Sequence, residues 1–189
     1  RLPASGEQMY VTEDGDHVYL LARKSGQSWP YSSEVRVLKL DGPEISEVAR
    51  LDLDASYRES RMVGDKLYVL SEKWERDKMR WQNWSFSYST RLATFDLSDP
   101  DNPRKIDEKI LAGAPQVISA TNSNLMVVTR DPSDYYNKHI VRVFDLTGFT
   151  GIPEEVAEVK PGGRVLDKFK LRIRNGILTV ISQAYRAKS

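Results

Sequence analysis

Aromatic residues gather in one short segment of this chain, and their type suits them to holding a ligand. The segment contains Trp74, Trp81, Trp84, Phe86 and Tyr88, which include three of the four tryptophans in the chain. Large rigid aromatics provide much contact area at a small cost in conformational entropy, and Trp and Tyr also stack on sugar rings. The segment predicts a surface for a protein or polysaccharide. The alternative, which we favour, is that the alternating aromatics pack on a neighbouring part of the fold.

Charged residues form a second candidate cluster at Arg58, Glu59 and Arg61. On a strand that lined a channel, their polar groups would converge on a ligand. Ion pairing among themselves in contact with water also explains them, and we favour that interpretation. The ligand-binding candidates from the sequence are therefore Trp74, Trp81, Trp84, Tyr88, Arg58, Glu59 and Arg61.

No local motif for catalysis is present. The two histidines, His17 and His139, are predicted in a hairpin turn and at the start of a strand, and neither has a nucleophilic partner in a recognisable motif. The absence of cysteine excludes disulfides, thiol catalysis and cysteine-ligated zinc. We predict no catalytic residues, no metal and no cofactor. Carboxylates scattered along a glycosidase would escape such a search, so a hydrolase stays open as the alternative.

Acidic loop residues raise the question of calcium. Residues 99–103 read Asp-Pro-Asp-Asn-Pro, and Asp131, Asp134 and Asn137 form a second group. Neither group has the ligand spacing or the distal Glu of a calcium loop. Asp and Asn side chains that bond to nearby backbone amides, with prolines that fix φ, explain both segments as turns.

Composition excludes several classes of partner. Lys and Arg total 28 against 27 for Asp and Glu, with no long block of either sign, so neither nucleic acid nor an acidic membrane is predicted. No apolar run approaches the roughly 20 residues that span a bilayer. With 40% hydrophobic and 29% charged residues, the chain is typical of a folded protein. Because it opens at Arg1 without Met, we expect it to be an excerpt from a longer protein.

An internal repeat predicts the strands that carry these residues. A Gly-, Asp- or Asn-containing turn followed by a short apolar strand occurs four times, at residues 14–21, 63–71, 122–129 and 175–182. A short strand precedes each turn, which predicts β-hairpins. A strand that ends in Asp then occurs three times, at residues 35–42, 92–99 and 141–148, and a turn and a final strand follow it. Each unit therefore holds four antiparallel strands.

The repeat predicts an all-β propeller, or a partial one, of four-stranded blades. Units recur at intervals of about 50 residues and their strands are apolar on both faces, as sheets stacked against one another require. We predict one domain over residues 1–189, with about three and a half blades at approximately 7–54, 55–112, 113–161 and an incomplete 162–189. The open edge of the last unit could associate with another chain. A short helix over residues 72–81 is an alternative to a long β-loop there.

Three segments carry a family resemblance. Residues 59–69, 95–103 and 167–171 resemble, in the same order, secreted bacterial proteins with a C-terminal β-propeller that is distantly similar to WD-repeat propellers. The resemblance covers roughly residues 56–183 and transfers no site. It implies export to an extracytoplasmic location and a propeller without established catalytic residues. We therefore expect a non-catalytic scaffold that recognises a protein or polysaccharide through loops on one propeller face. The alternative is a fragment of a carbohydrate-active hydrolase with carboxylates near a central channel.

Overall fold

The computed structural model describes residues 6–24, 32–77, 85–134, 136–148 and 150–184. In these ranges the chain forms strands and a single 3-10 turn, with no α-helix. In chain order the strands are β1 (Gly6–Val11), β2 (His17–Arg23), β3 (Ser33–Asp41), β4 (Glu44–Asp52), β5 (Ser56–Val63), β6 (Lys66–Asp77), β7 (Ser85–Asp96), β8 (Arg104–Ala112), β9 (Pro115–Ala120), β10 (Asn124–Arg130), β11 (His139–Asp145), β12 (Glu154–Val159), β13 (Leu171–Arg174) and β14 (Ile177–Val180).

The strands form consecutive antiparallel sheets, as the repeat predicts. Strands β1–β4, β5–β8 and β9–β12 make three four-stranded sheets, here called blades 1, 2 and 3, and β13 pairs with β14 as the start of blade 4. The predicted all-β architecture of three complete blades and one incomplete blade is confirmed. The chain is a partial propeller.

One alternative and one expectation from the sequence are wrong. Residues 72–77 belong to β6, so the helical alternative fails for the described part of that segment. His17 is the first residue of β2 and is buried, whereas we expected it in the turn. The strand before the fourth turn begins at Leu171, and Phe169 lies in the preceding 3-10 turn Lys168–Lys170, where the Asp167 carboxylate accepts a hydrogen bond from the Phe169 N–H at 2.8 Å.

Apolar side chains from the faces of neighbouring sheets fill the interfaces between blades. The interface of blades 1 and 2 is formed by a buried cluster that includes Tyr19, Leu21, Val35, Val37, Leu67, Val69 and Phe95. The interface of blades 2 and 3 contains Tyr68, Leu70, Leu92, Ile118, Leu125, Val127 and Phe144. The interface of blades 3 and 4 contains Val117, Met126, Val128, Val141, Val143, Val165 and Leu171. Blades 2 and 3 are thus covered on both faces, which explains why their middle strands carry buried apolar residues on both faces.

A β-bulge recurs at two points of each complete blade. In the first strand pair the extra residue is Glu7, Arg58 or Gln116, and in the last pair it is Val48, Ile106 or Val156. An extra residue on one strand increases the local right-handed twist. Repeated bulges therefore give each blade the same curvature.

The connections lie on two opposite faces of the partial propeller. The first, here called the arm face, carries the ends of the β2–β3, β6–β7 and β10–β11 hairpins and the crossovers between blades at residues 53–55, 113–114 and 160–170. The second, here called the turn face, carries the tight hairpin turns at residues 12–16, 64–65 and 121–123 and the loops at 97–103 and 146–153.

Candidate binding surface

Strands β6 and β7 continue past the edge of blade 2 as a two-stranded arm. The neighbouring strand β8 ends its pairing at Ala112, opposite Ser89. The β6–β7 ladder nevertheless continues from Trp74 opposite Tyr88 to Asp77 opposite Ser85. In the described residues, the strand register of the corresponding hairpins reaches Arg23 in blade 1 and Arg130 in blade 3. We call residues 74–77 and 85–88 the arm.

The base of the arm carries an aromatic pair. Trp74 and Tyr88 face each other with ring centroids 4.2 Å apart and planes at 68°, an edge-to-face contact. Both side chains are partly exposed. Because side chains alternate along a strand, Trp74 lies on the same side of β6 as Tyr68 and Leu70, which face blade 3. The pair therefore lies where the interface of blades 2 and 3 opens onto the arm face.

Two of the predicted aromatic residues, Trp81 and Trp84, lie outside the described residues. Of the predicted cluster, the structure thus brings together Trp74 and Tyr88. Their role in binding stays a prediction, as does the alternative that the aromatics serve only in packing.

Arg58 lies beside the arm because it is the extra residue of the bulge in β5. Its guanidinium donates to the carboxylate of Glu72, which is 4% exposed. Glu7 occupies the same place in the bulge of β1, and its carboxylate lies 2.5 Å from the guanidinium of Arg23. The two bulges thus make the same ion pair with the charges exchanged. Each pair joins the first strand of a blade to the seventh residue of the second.

A second ion pair joins β6, at the residue just before the arm, to the crossover from blade 1. The Lys73 ammonium lies 2.7 Å from the Asp54 carboxylate. This hydrogen bond lowers the pKa of Asp54. Asp54 adopts a positive φ of 49°, which a short polar side chain tolerates. The two residues of β6 that precede the arm are therefore joined to β5 and to the crossover.

Glu59 and Arg61 lie at the inner strands, away from the arm. Arg61 donates to Glu59 Oε1 at 2.5 Å, and Glu59 Oε2 accepts the Ile118 N–H of β9 at 3.1 Å. Glu59 therefore links blade 2 to blade 3 through the backbone. The three charged candidates divide into one residue at the arm and two at the inner interface, and a role in ligand binding stays a prediction for each.

A polar network between blades 1 and 2 was not found from the sequence. Tyr57 donates to Gln8 Oε1 at 2.5 Å, Ser60 Oγ donates to the same oxygen at 2.9 Å, and Tyr10 Oη lies 3.0 Å from Ser60 Oγ. Burial raises the pKa of Tyr57 to about 12 and also raises that of Tyr10. Both phenols therefore stay protonated at neutral pH. No sequence motif marks this network, because its members come from strands some 50 residues apart.

The turn face has a groove at each of the two complete interfaces. The groove between blades 2 and 3 measures about 460 Å³ and is lined by Asp65, Lys66, Tyr68 and Asn122, among others. The Tyr68 hydroxyl donates to the carbonyl of Gly151 at 2.8 Å. The groove between blades 1 and 2 measures about 510 Å³, and there the equivalent Tyr19 donates to the Leu97 carbonyl at 3.4 Å. Both grooves are hydrogen-bonded inter-blade joints.

The acidic loops form turns. Asp99 accepts the backbone N–H of Asp101 at 3.2 Å, and Asp131 accepts the N–H of Ser133 at 2.9 Å. In the part of the chain that the structure describes, His, Asp and Glu do not gather in threes around a possible metal position. Across the same residues, no helix has the length and apolar character needed to cross a membrane.

Comparison with known families adds to this geometry. The family described as beta propeller domain matches residues 6–147, from the first residue of β1 to just beyond β11. The chain belongs to the beta propeller domain family. Neither the curated proteins nor the solved structures contain a match to it. A propeller is in general a fold for binding or for scaffolding. The matched part of this propeller includes the arm, the candidate charged residues and the groove between blades 1 and 2.

Proposed function

We propose that this propeller is a non-catalytic extracytoplasmic scaffold that recognises a protein or polysaccharide through its arm face. The observation that carries the proposal is the arm, a β6–β7 ladder that continues where the rest of blade 2 has ended. The arm pairs outside the four-stranded sheet, and ordering it costs conformational entropy, which favours a role for the arm in contact with a partner.

The aromatic pair supports this proposal. Trp74 and Tyr88 hold each other in place, so less conformational entropy would be lost when a partner packs on them. Their partial exposure leaves ring surface for contact with sugar or with apolar side chains. The ion pairs of Glu72 with Arg58 and of Lys73 with Asp54 fix the strand that carries Trp74. An extracytoplasmic location rests on the resemblance to secreted bacterial proteins.

The test compares a variant with both Trp74→Ala and Tyr88→Ala with the unchanged protein. Probes are soluble β-glucan, mannan and pectin in affinity electrophoresis. We expect at least one to retard the unchanged protein, and the double variant to lose roughly tenfold or more in affinity, because an aromatic anchor contributes about 1–3 kcal/mol. Tyr136→Ala is the matched control, since Tyr136 is an exposed aromatic on the same face but not in the arm.

Thermal stability distinguishes a binding role of Trp74 and Tyr88 from a role in packing alone. Thermal unfolding of the double variant should begin within a few degrees of the unchanged protein. A large fall in the melting temperature with unaltered affinity would show that the pair serves in packing. If none of the three polysaccharides is bound, the polysaccharide part of the proposal is withdrawn and a protein partner stays as the hypothesis.

A further inference from the structure

His139 is a buried histidine that has no place in the arm. It is the first residue of β11 and is 2% exposed. Its Nδ1 accepts a hydrogen bond from the backbone N–H of Val165 at 3.0 Å. An imidazole nitrogen accepts only when it carries no proton, so this contact requires the neutral ring with its proton on Nε2.

Val165 belongs to the crossover from blade 3 to blade 4. Its side chain is 1% exposed and packs with Met126, Val128 and Val143 of blade 3. The neighbouring Arg164 exchanges two backbone hydrogen bonds with Gln183, each 2.9 Å long. Because Gln183 follows β14, the crossover holds both ends of the β13–β14 hairpin. The His139–Val165 hydrogen bond therefore lies at the point where the hairpin joins blade 3.

The charges around His139 oppose its protonation. Arg130 lies opposite it in the β10–β11 register, and Arg164 precedes its hydrogen-bond donor. Nearby Asp131 is hydrogen-bonded to Ser133 and lies 4.0 Å from the ammonium of Lys160. Lys138 is 3.7 Å from the Asp134 carboxylate. Burial, and then Arg164 and Arg130, lower the pKa of His139.

We propose that the His139–Val165 hydrogen bond is a pH-sensitive switch that holds the crossover and the β13–β14 hairpin on blade 3 at neutral pH and weakens their attachment in acid. The proton comes from solvent and binds Nδ1, which then becomes a donor facing the N–H of Val165. Two donors cannot bond to each other, and the new positive charge adds to those of Arg130 and Arg164. Crossover and hairpin therefore separate from blade 3 more often.

The pH dependence of the attachment follows from the difference in the pKa of His139 between the attached and detached states. A free histidine has a pKa near 6.5, so the detached state gains a proton before the attached state does. The contribution of His139 to attachment is complete above about pH 6.5 and is lost as pH falls towards the lowered pKa of the attached form. Between pH 7.5 and 5.5 one histidine can weaken attachment by up to about tenfold.

Hydrogen exchange tests the switch. Amide protection factors of residues 165–182 are measured at pH 7.5 and 5.5, with those of blade 2 as an internal reference. We expect protection in the crossover and hairpin to fall severalfold at pH 5.5 relative to blade 2. In His139→Asn, the Asn oxygen takes the place of Nδ1 as an acceptor but does not titrate in this range. The ratio of protection in the crossover and hairpin to protection in blade 2 should therefore be independent of pH.

The second histidine supplies the matched control. The chain contains two histidines, and His17→Asn removes the other one, so that variant should keep the full response to pH. The proposal is overturned if the unchanged protein shows no selective loss of protection, or if His139→Asn shows the same loss. If His139→Asn fails to fold, the unchanged protein and His17→Asn still test the proposal. In both, protection of the crossover and hairpin must fall at pH 5.5 relative to blade 2. None of these measurements depends on the arm or its partner.

Discussion

The hydroxyl groups of Tyr19 and Tyr68 perform the same task at successive interfaces. Each occupies the third position of the second strand of its blade and donates to a carbonyl in a turn-face loop of the next blade. Their oxygen–oxygen distances differ, at 3.4 Å for Tyr19 and 2.8 Å for Tyr68. The shorter bond has the better geometry for a buried hydroxyl donor.

Replacement of these tyrosines with phenylalanine should therefore give unequal losses. Tyr68→Phe should lower the free energy of unfolding by about 1 kcal/mol, because the Gly151 carbonyl loses its donor while the ring stays in the core. Tyr19→Phe should cost less than half of that. Urea denaturation at pH 7.5 measures both, and equal losses would contradict the ranking.

Residue type revealed the candidate site only in part. The aromatic and charged candidates were recognisable because Trp and closely spaced charges stand out in a sequence. Their partners were not recognisable. Nothing in the sequence distinguishes Glu72 from other charged residues, and the partner of Glu59 is a backbone N–H, that of Ile118, which every residue except proline has. The role of His139 was hidden for the same reason: Val165 lies 26 residues away and contributes only a backbone group.

At the scale of elements, the crossover between blades 2 and 3 restricts which residue can stand at position 113. Gly113 lies between β8 and β9 with a φ of 86°, and its carbonyl accepts a hydrogen bond from Thr90 at 2.7 Å. A Cβ on Gly113 would lie 1.9 Å from the Arg130 carbonyl oxygen. Hairpin-turn Gly64 also has a positive φ, of 57°, but a Cβ there would meet no atom within 4 Å.

Alanine at these two glycines should separate backbone strain from steric collision. Gly64→Ala should cost about 1–2 kcal/mol, the penalty for an L-residue in the left-handed region. Gly113→Ala should cost at least twice as much, because the crossover must also move away from β10. Denaturant midpoints of the two variants measure the difference, and similar values would show that the crossover adjusts freely.

Sequence patterns predicted the hairpins but not the length of every strand. Gly, Asn and Asp at the turns identify hairpins because these residues tolerate positive φ. The extension of β6 to Asp77 escaped prediction because residues 72–77 are mostly charged and lack apolar alternation. The pattern that marks a buried strand is therefore absent from the part of β6 that enters the arm.

For the whole molecule, coverage of the faces distinguishes the blades. Blade 2 contributes to the buried clusters on both of its sides, whereas the described part of blade 4 has two strands that pack on blade 3 through one face. The number of blades could be predicted because the repeat fixes it. Sequence alone could not rank their stabilities, which depend on the neighbours of each face.

We expect hydrogen exchange at pH 7.5 to follow this order. Amides of β6 and β7 within residues 66–72 and 90–96 should exchange most slowly, because opening them disrupts two apolar interfaces. Those of β13 and β14 should exchange fastest among the strands of the four blades. Uniform protection across all four blades would show instead that the chain opens as one cooperative unit.

The bulge in the last strand pair lies at the same point of each complete blade. Val48, Ile106 and Val156 each add one residue at the same point of an outer strand. Deletion of such a residue would shift the alternation beyond it and turn the following side chains to the opposite face. Duplication of a whole unit would instead reproduce both the curvature and the matching faces. Length change in such a gene is therefore expected to proceed by entire repeats or within loops, and seldom by single codons in the outer strands.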